Sequence, residues 1–364
     1  MTGLLEDMAH RPAAWLAEPG ADSSVTLSSR VRLARNVSGL KYPSSADPET
    51  LRKVINYFKS SRERSTTLSK GSFFSSSEIN DLDRDFLVER HLISPTFLDG
   101  NPNRALLIGP QERVSIMINE EDHVRVQALV AGLDVHTAYK LASEYDDEIC
   151  KLIDIDYDPD FGFLTTCPTN VGTGMRASVL IHLPGLVLTR EIDSVISRLS
   201  KLGLVVRGFY GEGSDVLGNL LQVSNQTTLG VSETEILSNI DTTTKQIIEE
   251  ENIARLRLIE EASNQIEDKV WRAFGILSHA RTLSSDEVMN LLSAVRLGIS
   301  LGRLTEITFS QVNEILLLSQ PAHLQKYYGE EMDPDRRDFI RAEMVRAKMK
   351  GNMGKENISA PPKK

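Results

Sequence analysis

An α+β fold, an antiparallel sheet flanked by helices and followed by an all-helical C-terminal domain, is predicted by three features of this 364-residue sequence. Short β-rich runs bounded by turn residues recur through about the first 230 positions. Beyond Ser232 every periodic segment has helical spacing and strand signals vanish. No internal repeat runs through either part, and the chain is long enough for two hydrophobic cores.

The elements follow in order. Asp47-Pro48-Glu49 supplies an N-cap, a proline at the first helical position and an acidic first turn, opening a helix that runs to about Arg62. Segments 104–108 and 113–118 are strands joined at Gly109-Pro110-Gln111-Glu112, the pattern of a hairpin. A helical period is read over about 123–145, then strands over 161–166, 177–183, 203–209 and 217–223, with a helix over 189–202 between the second and third. Helices over 232–265, 267–280, 284–297, 305–319 and 333–350 complete the chain. The boundary is placed near residue 250, giving an α+β domain over 20–250 and a helical domain over 251–350. The tail over 351–364, rich in Gly, Asn, Pro and Lys, is expected to be disordered.

A net charge of -10 argues against a general nucleic-acid binder, so any anion site must be a local cluster of arginines inside an acidic protein. No apolar run approaches the roughly 18 residues that span a bilayer, and the N-terminus, with Glu6, Asp7, His10 and Arg11, lacks the apolar core of a signal peptide. The expected location is the cytoplasm. The only cysteines, Cys150 and Cys167, are too few for a disulfide framework. There is no G-x-x-x-x-G-K-[ST] loop, and Asp160-Phe161-Gly162 spells D-F-G without the other kinase motifs, a coincidence of three letters. Without H-E-x-x-H or paired C-x-x-C, no protein-built metal site is expected.

Clusters of arginines and carboxylates stand at what read as element boundaries. They are Ser28-Ser29-Arg30-Val31-Arg32-Leu33-Ala34-Arg35-Asn36, Asn119-Glu120-Glu121-Asp122-His123-Val124-Arg125, the run from Thr165-Thr166-Cys167-Pro168 through Gly172-Thr173-Gly174-Met175-Arg176-Ala177-Ser178, and Arg207-Gly208-Phe209-Tyr210-Gly211-Glu212. Each alone has an ordinary explanation. Paired arginines are usually solvated, a lone cysteine is usually a small buried hydrophobe, and a histidine at an element start is usually a satisfied structural group.

Together the four segments resemble the ATP:guanido phosphotransferases, the superfamily of creatine and arginine kinases, over about residues 24–250. The match is closer still to the bacterial protein arginine kinases, because the helical N-terminal domain of the small-molecule enzymes is absent and a helical C-terminal domain is added. The resemblance implies the antiparallel sheet flanked by helices already read from the pattern. It also implies ATP as the donor, with Mg2+ carried on the nucleotide by phosphates and water.

The chemistry explains the residue types. Transfer of a γ-phosphoryl group is mostly positioning and electrostatic stabilisation, and the planar, always-charged fork of arginine suits it. By resemblance Arg30, Arg32, Arg125, Arg176 and Arg207 grip phosphates, within nucleotide-contacting stretches Ser28, Ser29, Arg30, Val31 and Arg32, then Arg176, Ala177, Ser178, Val179 and Leu180, then Arg207, Gly208, Phe209, Tyr210, Gly211 and Glu212; His91 joins them. A guanidinium acceptor is cationic and a poor nucleophile until a proton leaves, so carboxylates must orient and deprotonate it. Glu121 matches the principal base and Glu212 the second clamp, with Cys167 as a supporting thiol beside the guanidinium. After Glu212 the sequence runs Gly213-Ser214-Asp215 where the small-molecule kinases usually have His-Thr-Glu, which favours an open acceptor site. The resemblance therefore implies phosphorylation of arginine side chains in proteins. A kinase of free arginine or another small guanidine is the alternative, and a non-catalytic adaptor a third reading that the complete set of arginines and glutamates speaks against.

Further implications concern partners and regulation: an activator protein, a heat-shock repressor and a Clp unfoldase and protease. A homodimer through the helical domain and burial of its apolar stripes within one chain remain open alternatives. Arg337-Asp338-Phe339-Ile340-Arg341-Ala342 matches the family's R-D-x-x-R-A element, which implies an allosteric phosphoarginine site. Arg337 and Arg341, four residues apart on a helix, are expected to converge on one phosphate while Asp338 meets the guanidinium. Charges at this spacing more often form a solvated face.

Overall fold

The computed structural model describes residues 2–17, 19–97, 101–208 and 217–350. Its strands are β1 (Thr26–Arg35), β2 (Ser72–Ser75), β3 (Ala105–Ile108), β4 (Val114–Ile118), β5 (Val124–Ala131), β6 (Tyr157–Asp158), β7 (Gly162–Phe163), β8 (Met175–His182), β9 (Leu204–Gly208) and β10 (Leu220–Asn225). The helices are α1 (Thr2–Ala9), α2 (Ala14–Ala17), α3 (Pro48–Arg64), α4 (Asp81–Glu89), α5 (Val135–Leu152), α6 (Pro184–Leu188), α7 (Ile192–Lys201), α8 (Glu233–His279), α9 (Ser285–Ser300), α10 (Phe309–Leu318), α11 (Pro321–Tyr328) and α12 (Pro334–Met349). One eight-stranded sheet runs in the order β2-β3-β4-β5-β1-β8-β10-β9 with every pair antiparallel, and β6 and β7 form a separate small hairpin.

The expected fold class is the one observed. The Asp47 cap is in place, its carboxylate accepting the Thr50 N–H at 2.9 Å, and the 104–118 hairpin pairs as read. Several expectations need correction. The helix read over 123–145 is strand β5 followed by α5, because Val124, Val126 and Ala128 alternate into the core with period two. Gly132 at φ +67° then turns the chain, and Asp134 caps α5 by accepting the Thr137 N–H at 3.0 Å. The strand read over 161–166 shrinks to Gly162–Phe163, outside the main sheet. The run from Ser28 to Arg35, read as a boundary cluster, is the middle of β1, the longest strand and a central one. Helices α1, α2, α4, α6 and α11 were not anticipated, and the two helices read over 232–280 are one, α8, broken in its backbone at Ala262 (φ −141°, ψ 32°). The tail over 351–364 lies outside the described residues.

The sheet has two unlike faces. On one, Val31, Leu33, Val126, Ala177, Val179 and Val223 pack with α5 and the first half of α8 (Ile236, Ile240, Ile247). The second half of α8 (Ile266, Val270, Ala273) belongs to a different core, with α9, α10, α12, Trp15 and the sheet residues Leu129, Leu180 and Leu220. A buried pair fixes the long helix between them. Glu251 accepts the N–H groups of Gly185 (2.8 Å) and Leu186 (2.9 Å) and meets Arg255 at 2.6 Å, while Arg255 donates to the Ser24 and His182 carbonyls.

A second clamp ties the chain's ends to the sheet. Arg90, fully buried at the end of α4, meets Glu112 at 2.6 Å and donates to the Met8 carbonyl at 2.9 Å, beside His323 of α11. Trp15 donates to the Arg90 carbonyl at 3.3 Å. Removing one charge of a buried pair strands the other. Arg90→Met should therefore lower unfolding stability by about 3–5 kcal/mol in urea titration, and a loss under about 1 kcal/mol would show that the pair is dispensable.

Candidate active site

Directly opposed residues of neighbouring strands share a face, so the register locates the arginines. Arg32 of β1 lies opposite Arg176 on β8 and Gln127 on β5, and Arg30 lies opposite Ser178 and Leu129. Arg125 opposes Ala34, two and four residues along β1 from those arginines, and Arg207 reaches the same face through Gln222, which opposes Leu180. Strand alternation thus places Arg30, Arg32, Arg125, Arg176 and Arg207 together on the face away from the main core. That face is divided. One end carries Leu129, Leu180 and Leu220 under the helical unit, and the other carries the guanidinium groups.

The charged end floors a cleft of about 460 Å³ lined by Arg30, Arg32, Arg125, Arg207, Glu120 and Glu121, with His91 and residues 93–96 forming one wall. A small recess beside it is lined by Ser28, Arg30, His91, Ser178, Leu180 and Gln222. The cleft is built for an anion. Burial, then Arg125 and Arg176, lower the Arg30 guanidinium to about 10, and burial, then Arg30, Arg125 and Arg176, pull Arg32 well down. The Nε atoms of Arg30 and Arg32 are buried without a hydrogen-bond partner among the described residues. Such donors call for an external acceptor, and polyphosphate supplies one.

Not every residue expected at the site faces it. Ser29, Val31, Ala177 and Val179 point to the opposite face and are buried in or beside the main core. Their backbones are paired within the sheet, so they scaffold the cleft rather than line it. Ser29 instead donates to the Gly132 carbonyl and accepts the Asp134 N–H, fixing the start of α5. Gly208 closes β9 beside Arg207, and Phe209, Tyr210, Gly211 and Glu212 lie outside the described residues. His91 takes a left-handed backbone (φ 59°), packs edge-on to Trp15 at 5.0 Å, and is pushed down to about 3 by burial and Arg30, so it is neutral at working pH.

The loop joining β4 to β5 holds the acidic residues. Asn119, at φ 58°, accepts nothing from the cleft but donates from Nδ2 to the Leu51 and Asn103 carbonyls, and its N–H closes the loop on the His123 carbonyl at 2.9 Å. Glu120, which sequence reasoning passed over, is buried, meets Arg125 at 2.5 Å and accepts a short hydrogen bond from Ser94; burial alone would raise it, but Arg125 and Ser94 hold it below the usual glutamate range. Glu121 stands exposed at the rim. Desolvation by the cleft wall raises its carboxyl, against Arg125 and with Asp122 and Glu120. Asp122 accepts from Asn36 Nδ2 and from the Thr166 N–H, both at 2.7 Å, so one carboxylate ties β1 to the loop that carries Cys167. His123 is the satisfied histidine expected. Its Nδ1 accepts the Val37 N–H, which leaves the proton on Nε2 to donate to the Lys41 carbonyl.

Cys167 begins a short 3₁₀ turn, with its Sγ 3.0 Å from Thr169 Oγ1. The glycines that follow permit close approaches: at Gly172 (φ +112°) a Cβ would stand 2.2 Å from the Thr228 carbonyl oxygen, and at Gly174 (φ +61°) 2.6 Å from Arg35. Among the described residues no group of three or more His, Cys, Asp or Glu could hold a metal ion.

Far from the cleft, α12 departs from expectation. Arg341 is buried and donates to the Ser319 (2.7 Å) and Leu283 (2.8 Å) carbonyls and to Asp338, and Ala342 is buried beneath it. Arg337 and Arg341 therefore do not converge on one phosphate in this structure. Arg341 is turned inward because the turns before α9 and α11 need its donors.

A family model for the ATP:guanido phosphotransferase C-terminal catalytic domain matches residues 53–254, and one for the protein-arginine kinase McsB C-terminal domain matches 263–360. A protein-arginine kinase of Desulforamulus reducens is 44% identical over 349 residues, 95% of this chain and 98% of that relative. The chain belongs to the protein-arginine kinase family. A Geobacillus sp. protein-arginine kinase is likewise 44% identical, over 93% of this chain and 94% of its own. Lombricine kinase shares the fold, with a TM-score of 0.58 at 24% identity over 71% of this chain and 72% of that one. The duplicated taurocyamine kinase of Schistosoma mansoni does so with 0.58 at 22%, over 74% and 42%. The break at Ala262 falls between the two matched segments.

In this kinase the mutually repelling guanidinium groups give an unusual expectation for Arg32→Gln. Loss of a charge-assisted contact should weaken nucleotide binding about 10- to 100-fold, measured by calorimetry with a non-hydrolysable ATP analogue. The melting temperature without nucleotide should hold or rise, since a buried like charge is gone. Unchanged affinity would remove Arg32 from the anion site.

Proposed function

We propose that the protein transfers the γ-phosphoryl group of ATP to the guanidinium of arginine side chains in proteins, giving N-phosphoarginine. The observation that carries this reading is a cleft with an arginine floor, two of whose Nε donors are buried without partners, and a glutamate rim at its open side. Arg30, Arg32, Arg125, Arg176 and Arg207 hold the phosphates, and their fixed charge stabilises negative charge that spreads over oxygens during transfer. Mg2+ arrives with the nucleotide, bound through phosphates and water, and offsets phosphate charge. Glu120 holds Arg125 in register. Glu121, raised and reachable from solvent, orients the acceptor guanidinium and takes its proton; Glu212 serves as second clamp and Cys167 as a supporting thiol.

The wider role we assign follows the family resemblance. The modification marks proteins in the cytoplasm for a Clp unfoldase and protease and modulates a heat-shock repressor, under an activator protein. Co-purification of a Clp component with the phosphorylated protein, but not with the unmodified one, checks that role. On α12 we assign a phosphoarginine site to Arg337 and Asp338, with Arg341 and Ala342 as its buried base. In the variant Arg337→Ala with Asp338→Ala, binding of free phosphoarginine should be lost while single-turnover transfer persists; wild-type binding would reduce the helix to a charged surface.

The mechanism makes a linked prediction for Glu121. It must be ionised to act, so kcat/KM should fall as pH drops through a limb above the ordinary glutamate pKa of about 4.3, and Glu121→Gln should abolish transfer with ATP binding retained. With radiolabelled ATP, a folded protein and free arginine offered together, label should enter the protein, survive base and be lost in acid, as a phosphoramidate requires. Label in the small molecule alone would favour the free-guanidine kinase, and acid-stable label would sink both.

A further inference from the structure

We propose that the protein acceptor is also held by a second surface, an acidic aromatic groove on the outer side of the Cys167 loop, which takes an extended, basic segment of the substrate chain flanking the target arginine. The inference rests on the protein-kinase reading above and names how that site recognises a protein.

The groove, of about 400 Å³, runs between the β6–β7 hairpin and the segment that leads into α8. It displays large apolar side chains together: Tyr157 is 58% exposed, Phe161 55% and Leu229 47%. Single exposed hydrophobes are ordinary, but three around one groove are a recognition surface. Nothing in the local backbone leaves them there by slackness. Asp158 accepts the N–H groups of Asp160 (2.8 Å) and Phe161 (3.0 Å), which fixes the hairpin turn. Phe163 exchanges backbone hydrogen bonds with Gly172 (2.8 and 3.2 Å), its ring packs 3.5 Å from the Arg35 guanidinium, and Tyr157 stands edge-on to it at 5.2 Å. The aromatics are held out by a rigid platform.

Charge and position select the occupant. Among the described residues the groove is lined by Asp160 and Glu233 and by no lysine or arginine, so it favours a cation. Lysine or arginine side chains can stack on Tyr157 and Phe161 while meeting the carboxylates. The wall of the groove is bonded to the loop that carries Cys167. Thr228, in its wall, bonds through its hydroxyl to the carbonyls of Thr169 (2.8 Å) and Val171 (2.7 Å), and Gly172 and Thr173 belong to the loop that presents Cys167. A protein acceptor has residues beyond its target arginine to lay in this groove, whereas a free guanidine has none.

The test compares two acceptors with the full-length protein: unfolded, iodoacetamide-alkylated ribonuclease A, and a capped Gly-Arg-Gly peptide. In Tyr157→Ser with Phe161→Ser, and separately in Asp160→Lys, KM for the ribonuclease should rise about tenfold, with its kcat, the KM for ATP and turnover of the peptide unchanged. A ribonuclease KM within twofold of wild type in both variants overturns the proposal, as does an equal loss on both acceptors. A change of oligomeric state in light scattering would make the groove a contact between copies and overturn it too. Wild-type protein that labels the peptide but never the ribonuclease defeats the protein-acceptor reading itself, a result distinct from a silent groove.

Discussion

The site depends on one electrostatic constraint, the holding of like charges together on one sheet face before any anion is bound. Two unit charges about 6 Å apart repel by about 3 kcal/mol at an effective dielectric constant of about 20, and burial adds the loss of water. The result is visible in Arg30 and Arg32, both driven below the usual arginine range, with Glu120 meeting Arg125. What offsets this cost is the other face of the same strands. Val31 and Leu33 lie between and beyond the arginines of β1 and are buried in the main core, so the strand cannot twist its charges into solvent without exposing its apolar side. The repulsion held in this face is what an anion bound there would relieve.

The helical unit is part of that arrangement rather than an appendage to it. Leu129, Leu180 and Leu220 share a face with the arginines yet belong to the core of the helices, so the helical unit roofs one half of the face and leaves the other open. His182 Nε2 lies 2.8 Å from Ser293 of α9, and Arg90, the residue before His91, donates to the Met8 carbonyl of α1. A wall of the cleft therefore shares its anchoring with the chain's N-terminal helix. Movements of the helices would reach the cleft through α4 and His91, and through Glu89, which accepts the N–H groups that open α11.

Much of this was legible in the sequence. The fold class, the α3 cap and the 104–118 hairpin follow from local rules that tertiary contacts did not override. The arginines were found through the company they keep in ordered motifs, not through periodicity. Alternation in β1 was readable in principle, since Ser28, Arg30 and Arg32 alternate with Val31 and Leu33, but a buried row of charges looks like a surface until the strands across from it are known. The same blindness turned β5 into a helix, because Val124 to Ala131 is apolar enough to satisfy either period. Arg341 is placed differently for another reason. Its spacing from Arg337 is right for a shared ligand, but its donors answer to carbonyls at Leu283 and Ser319, 58 and 22 residues away, which no window along the helix can see.

The two halves of the cleft are built on different principles, and the difference bears on what each can accept. The arginine side stands on strands, where register fixes every guanidinium to its neighbours. The acidic side stands on loops, Asn119 to His123 and the Cys167 segment, held to each other by Asp122 and to the sheet by Asn36 and His123. These loops are braced beneath and open above, leaving Glu121 exposed at the rim. A guanidinium must approach Glu121 as the end of a long side chain when it belongs to a protein, and a deep, closed pocket would exclude the backbone that carries it. An exposed carboxylate with a raised pKa suits the reaction proposed for such a site: desolvated enough to accept a proton, yet near enough to the surface for a polypeptide to lie across it.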